Sequence, residues 1–301
     1  MRRTLGRGRS RPLVIIGHVA GDGGAQPVVE LVGPVDRAHL TGLSRPSPPL
    51  HRYAPSPDLV DLVERYWIPV WSLAAPSTQR TLQHPVCLLV VSNDYARFYG
   101  PTRGLSSVTL SGDGYAAGVM LTPAAGRLLL DRPVASVTDV HLDLDTLTTL
   151  DGAALSGEVR AAMDPTPSAP ESHAAAIAAY ERRLRAFLPV DEQGLLVNHL
   201  VAWLREHPEV TRVDEVAEAV GLGERALHRL TTDRLGLSPK WLVQRRRLHD
   251  AVLALKAGTR SLAGLAAELG YTDQAHFTRD FRTVTGTTPG AYLADQPRAD
   301  A

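Results

Sequence analysis

The segment Val216-Ala217-Glu218-Ala219-Val220-Gly221-Leu222 returns 49 positions later as Leu265-Ala266-Ala267-Glu268-Leu269-Gly270-Tyr271. Past the glycine the offset becomes 50, so Leu227-His228-Arg229 falls on Phe277-Thr278-Arg279 and Gly236-Leu237-Ser238-Pro239 on Gly286-Thr287-Thr288-Pro289. A sequence that repeats itself at such a period builds one supersecondary unit twice. In each copy a small residue, Ala217 or Ala266, lets a second helix approach closely. Gly221 and Gly270 stand where the first helix must end, and glycine takes the left-handed conformation there without penalty. The next helix buries few residues: Leu227 and Leu230 in copy one, Phe277 and Phe281 in copy two. Gly223 and Asp273 occupy its N-cap, where Asp is a strong cap and Gly a weaker one. Each copy therefore has the grammar of a helix-turn-helix.

Between the copies, Trp241, Leu248, Val252 and Leu255 share one helical stripe over Pro239–Lys256. A helix of that span is about 25 Å long and holds the two units rigidly apart. Ahead of copy one, Leu196, Leu200 and Leu204 define a first packing helix over residues 194–206, closed by Pro208.

Residues 195–293 resemble the DNA-binding domain of AraC/XylS-type transcription regulators. The likeness rests on Gly221-Leu222, Leu227-His228-Arg229, Gly236-Leu237-Ser238-Pro239, Arg247-Leu248-His249-Asp250-Ala251, Ala266, Gly270-Tyr271, the run from Asp273 to Phe281, and Gly286-Thr287-Thr288-Pro289. Two paired turns with the correct spacer are far more specific than one. The resemblance implies that the exposed face of each second helix reads DNA, with Arg229 and Arg279 equivalent. Copy one departs from the pattern in carrying Thr231 where copy two has Phe281, and Gly223 in place of the usual Ser cap. The loss of apolar burial, on the order of 1.5–3 kcal/mol, predicts a looser first unit.

The base-reading candidates are Arg225, His228 and Arg229 in copy one and Gln274, His276, Thr278 and Arg279 in copy two. Arg can bond two acceptors of guanine, and Gln matches the acceptor–donor edge of adenine. Two such helices on one rigid body would enter successive major grooves about 34 Å apart. Residues 223–282 hold 11 Lys or Arg against 6 Asp or Glu, a local excess of +5 in a chain whose 32 basic and 32 acidic residues cancel. Arg234, Lys240, Arg245, Arg246, Arg260 and Arg282 are the phosphate-contact candidates. A solvated face with internal ion pairs is the competing reading for 245–247, and Arg247 is a candidate tie between the connecting helix and a neighbour.

Upstream, the texture is different. Residues 58–67 carry Leu59, Leu62, Val63 and Tyr66 at helical spacing. Apolar runs at 86–91, 96–99, 108–110 and 115–121 then read as short strands separated by turns, including Ser111-Gly112-Asp113-Gly114. Helices are expected over 123–130 and 143–163. The fold class is thus an α+β N-terminal domain followed by an all-α C-terminal domain with two helix-turn-helix units joined by a linker helix. The division is an Arg/Gly/Pro-rich extension (1–50) with too little apolar surface to order itself, an α+β domain (51–163), a Pro-rich linker and connecting helix (164–192), the DNA-binding domain (193–295) and a tail (296–301). The front domain also resembles those found ahead of such modules. That resemblance implies a small-molecule effector, homodimerisation, or both. Its pocket candidates are Tyr53, Trp67, Trp71, Arg80, Tyr95, Tyr99 and Tyr115.

Several classes are disfavoured. With 44 % apolar and 21 % charged residues the balance is that of an ordinary globular protein, and no apolar run reaches the ~20 residues of a membrane span, so a cytoplasmic protein is expected. A single cysteine, Cys87, forbids an internal disulfide. His51, His84 and His141 lack metal spacing, and no phosphate loop, zinc-protease or serine-elbow motif occurs. No metal, cofactor or enzymatic activity is expected. The expected partners are double-stranded DNA, a small-molecule effector, a second copy of the chain, and RNA polymerase if the protein activates. Two other readings stay open here: an enzyme or alkylation/redox sensor using Cys87 with an appended reader, and a helical module that grips protein.

Overall fold

The structure is a computed structural model that describes residues 40, 48–258 and 261–295. Most of the Arg/Gly/Pro-rich extension, the tail 296–301 and Arg260 lie outside the described residues.

The front domain is built on one antiparallel sheet of six strands: β1 (Leu50–Tyr53), β2 (Val63–Thr81), β3 (Leu88–Ser92), β4 (Ala96–Tyr99), β5 (Ser106–Leu121) and β6 (His141–Asp143), in the order β1-β2-β5-β3-β4-β6. The residues expected as a helix over 58–67 instead form one 3-10 turn, Pro57–Leu59, and the start of β2. Leu59, Leu62, Val63 and Tyr66 are all buried, as the helical spacing required, but Tyr66 and Ile68 continue inward with period two. Pairing with β5 decides between the two readings, since strand preference depends on neighbours more than on the segment itself.

The expected turn at 111–114 does not end the strand, because β5 continues through it. Gly112 takes φ +57, and the register slips between Leu73 and Ser77. The chain's path explains this irregularity. Arg65 and Leu88 both pair with Met120, so β2 leaves that level and the chain must return to it after Thr81. A straight strand from 65 to 81 would travel roughly 53 Å, whereas the link from 81 to 88 spans at most about 25 Å. The β2–β5 ribbon must curl back on itself, and a bulge with a glycine is how ribbons bend.

Helices α1 (Ala125–Leu130), α2 (Gly152–Met163) and α3 (Pro170–Leu184) cover the sheet. The helix expected over 143–163 starts only at Gly152, where the Asp151 side chain accepts from the Ala154 N–H at 2.9 Å. The segment 164–192 is not a free linker. Ala176, Ile177, Tyr180 and Leu184 of α3 lie in the front-domain core with Leu155, Val159 and Met163 of α2. The Tyr180 hydroxyl donates to the Ala117 carbonyl on β5 at 2.7 Å. The three prolines break the chain between α2 and α3, but the apolar stripe of α3 carries it back onto the sheet.

The rear of the chain is all helix: α4 (Glu192–Glu206), α5 (Val213–Ala219), α6 (Glu224–Leu235), α7 (Pro239–Lys256), α8 (Leu262–Glu268), α9 (Gln274–Thr285) and α10 (Pro289–Ala294). Two apolar clusters share α7. One gathers Leu200, Val216, Leu227 and Leu242; the other Leu248, Val252, Leu265, Phe277, Phe281 and Tyr292, with Leu82 of the front domain added.

Candidate nucleic-acid interface

In both units the turn that separates the paired helices is built as the repeat requires. Gly221 has φ +66 and Gly270 φ +73, and each following residue donates its N–H back to the first helix, Leu222 to Ala217 O and Tyr271 to Ala266 O, both at 2.9 Å. The second helices α6 and α9 start at Gly223 and Asp273. The Asp273 carboxylate accepts from the His276 N–H at 2.6 Å, whereas α6 has no side-chain cap. Both end at left-handed glycines, Gly236 and Gly286.

Leu227 and Leu230 point inward from α6, and Phe277 and Phe281 from α9. The base-reading candidates are among the residues left outward: Arg225, His228, Arg229, Gln274, His276 and Arg279 are exposed, and Thr278 is half-buried. Thr231, the departure in copy one, is fully buried and donates its hydroxyl to the His228 carbonyl at 3.3 Å. Its counterpart Phe281 instead packs edge-on against Phe277 and beside Tyr292.

The phosphate candidates divide. Lys240 and Arg282 are exposed. Three others require correction. Arg234 is buried and paired with Asp191 at 2.9 Å, so it ties α6 to the start of α4. Arg246 is buried and donates to the carbonyls of Pro208 and Val210, both at 2.7 Å, and to Asp250. Arg245 lies over the Trp241 ring and donates to the carbonyls of Thr102, Arg103 and Gly104 in the front domain. Burial lowers its pKa to about 10. A buried guanidinium must find acceptors inside the protein, and these three have done so rather than wait for phosphate. Arg260 lies outside the described residues.

Arg247 is the tie the sequence suggested. Its Nε donates to the Leu269 carbonyl at 2.8 Å and its guanidinium stacks on Tyr271 at 3.7 Å. The Tyr271 hydroxyl donates to Asp280 at 2.6 Å, and Gln244 donates to the same carboxylate. This network joins α9 to α7. Asp280 and Gln244 were not legible as partners from the sequence; the available signal was a carboxylate wedged between Phe277 and Phe281 on the inward side of α9.

Residues 216–295 match a family model described as a helix-turn-helix domain. The HTH-type transcriptional activator RhaS of Escherichia fergusonii is 34 % identical over 94 residues, 31 % of this chain and 34 % of that protein. RhaS of Escherichia coli strain SE11 gives the same identity and coverage. Residues 216–295 are an AraC-type helix-turn-helix domain. The chain spans about a third of the length of the curated relatives it matches. Ahead of the AraC-type domain, residues 51–143 match a domain of unknown function. Among solved structures, the C-terminal domain of AraT from Geobacillus stearothermophilus aligns at 20 % identity over 37 % of this chain and 95 % of that one, with a TM-score of 0.34. ToxT from Vibrio cholerae aligns at 11 % identity over 76 % of this chain and 97 % of that one, with a TM-score of 0.40.

In the front domain, the structure brings together two of the seven pocket candidates. Trp71 and Tyr115 line an open cleft of about 330 Å³ with Val70, Asn93, Asp113 and Asp164. Tyr53 is committed elsewhere, donating to His173 Nδ1 at 2.6 Å, and Trp67 lies so close over Gly118 that a Cβ there would sit 2.2 Å from the indole. Tyr95 and Tyr99 are half-buried beside Arg97 and His141 respectively, and Arg80 is exposed near the end of β2. Cys87 is buried, and burial pushes its thiol pKa well up, which opposes thiolate chemistry. Among the described residues no helix is long and apolar enough to cross a membrane, and no cluster of metal-ligating side chains occurs.

Proposed function

We propose that the whole chain is a cytoplasmic, sequence-specific DNA-binding transcription regulator in which α6 and α9 read two successive major grooves. The observation that carries the reading is the repeated unit itself. Two helices of equal length present Arg229 and Arg279 at equivalent exposed positions, and one 18-residue helix braces them. Arg225, His228 and Arg229 would contact bases from α6, and Gln274, His276, Thr278 and Arg279 from α9. Lys240 and Arg282 remain as phosphate contacts that hold register without reading sequence. The front domain supplies modulation through a small molecule, self-association, or both. Likeness to proteins named as transcriptional activators supports contact with RNA polymerase.

The test is selection of duplexes from a random library by the full chain, followed by affinity measurements as salt is varied. The expected result is a bipartite motif with half-sites about one helical turn apart and an affinity that falls steeply with salt. Absence of any enriched motif, or an affinity indifferent to salt, would overturn the proposal.

A further inference from the structure

The two reading helices differ in what orients them. For α9 the polar bearings lie within the reader: Tyr271, Asp280, Gln244 and Arg247 bind it to α7. At the positions of copy one equivalent to Tyr271 and Asp280 stand Leu222 and Leu230, which cannot form such a network.

The bearings of α6 lead to the front domain instead. At its C-terminal end, the Thr138 hydroxyl donates to the Gly236 carbonyl at 3.0 Å, and Arg127 of α1 lies 3.6 Å from the Asp233 carboxylate. The approach is close enough that a Cβ on Gly236 would fall 2.3 Å from Thr138 Oγ1 and 3.0 Å from the Val134 carbonyl. The second bearing, Arg234 to Asp191, runs to the N-cap of α4. That helix is itself held by the front domain: Asn198 accepts from the Ala124 N–H and donates to the Asp61 carbonyl, both at 2.9 Å, and Arg205 pairs with Glu64 at 3.1 Å. The contacts of Arg245 and His249 with the front domain act through α7, which both units share, and Leu82 of the front domain adds apolar packing, not a polar bearing, to the cluster around Phe277 and Phe281.

We infer that Thr138 and Arg127 of the front domain are positioning residues for the first reading helix, so that these polar contacts of the front domain govern recognition of the half-site read by α6 and not of the half-site read by α9. The inference rests on the DNA-reading function proposed for the chain. Physically, a helix fixed at one end in its reading orientation spends less ordering entropy when it meets DNA, and removing the fixture lowers discrimination at its own bases.

The experiment uses the full chain and its selected bipartite duplex. Arg229→Ala and Arg279→Ala first assign the half-sites, each abolishing base preference in one of them. If neither affects a half-site, the DNA-reading proposal fails, and that failure is distinguishable from failure of the positioning inference. Thr138→Val combined with Arg127→Ala is then measured on duplexes with either half-site scrambled, with thermal unfolding as a check on integrity. The expected result is a loss of about fivefold in preference at the Arg229 half-site, from removal of one net hydrogen bond and a weak ion pair, and no change beyond about twofold at the other. Thr138→Ser, which keeps the hydroxyl, should retain the preference. Should the double variant unfold, Thr138→Val alone is measured in the same way. A loss shared equally by both half-sites, a gain at the Arg229 half-site, or no change at either overturns the inference.

Discussion

Substituting alanine at the two turn glycines separates two physical effects that coincide in most turns. Gly221 and Gly270 share nearly the same backbone, φ +66 and +73, so a Cβ at either incurs the left-handed penalty of roughly 1–2 kcal/mol. Their surroundings differ. A Cβ at Gly221 meets open space, while one at Gly270 would lie 2.8 Å from Cγ2 of Thr211, across the boundary between the units. Gly221→Ala should therefore lose only the conformational contribution. Gly270→Ala should lose that amount plus an overpacking cost, roughly 1–3 kcal/mol further unless Thr211 yields. Thr211→Ala removes the obstructing methyl, and combined with Gly270→Ala it should recover the second contribution but not the first. Amide hydrogen exchange across α5–α6 and α8–α9 reads each unit separately, and the coupling between 211 and 270 comes from the double-mutant cycle. Equal costs at the two glycines, or a Thr211→Ala variant that recovers nothing, would show that this turn is not packed as described.

Lys240→Ala and Arg282→Ala should each reduce the slope of log affinity against log salt by about one, whereas Arg245→Met should leave the slope unchanged because that guanidinium is spent on carbonyls. Titration of DNA binding at several salt concentrations decides it. His249 is buried with His84, Arg245 and Arg205 facing it, and donates to the Leu82 carbonyl at 2.8 Å; burial first, then His84, holds its pKa well below 6.5. The folded chain thus refuses a proton that the unfolded chain accepts, so this contribution is intact above pH 6.5 and lost as pH falls, by at most about 1.4 kcal/mol per pH unit. Urea unfolding from pH 7.5 to 5 should show that slope, and His249→Gln should flatten it. With Thr231 in place of an aromatic, α6 should exchange its amides faster than α9; equal protection would refute the looser first unit. Native protein treated with an alkylating agent should keep Cys87 unmodified by intact mass, since the buried thiol is neither accessible nor ionised.

The amino-acid order alone determined the reader. Its turns, caps and helix lengths depend on residues within four positions of one another, and the glycines, Asp273 and the paired anchors state those requirements twice, at a spacing that leaves little choice of register. Tertiary structure decided what distance along the chain conceals. Whether residues 63–67 coil or extend depended on β5, some fifty positions away, and whether 164–192 is a tether or part of the core depended on where the apolar face of α3 could be buried. The arginines divide on the same ground. Arg282 and Arg245 are the same residue type in the same basic stretch, yet one remains in solvent and the other is enclosed by carbonyls from residues 102–104. A guanidinium becomes a structural tie or a phosphate contact according to the acceptors the fold brings to it, and those come from parts of the chain that no local pattern connects.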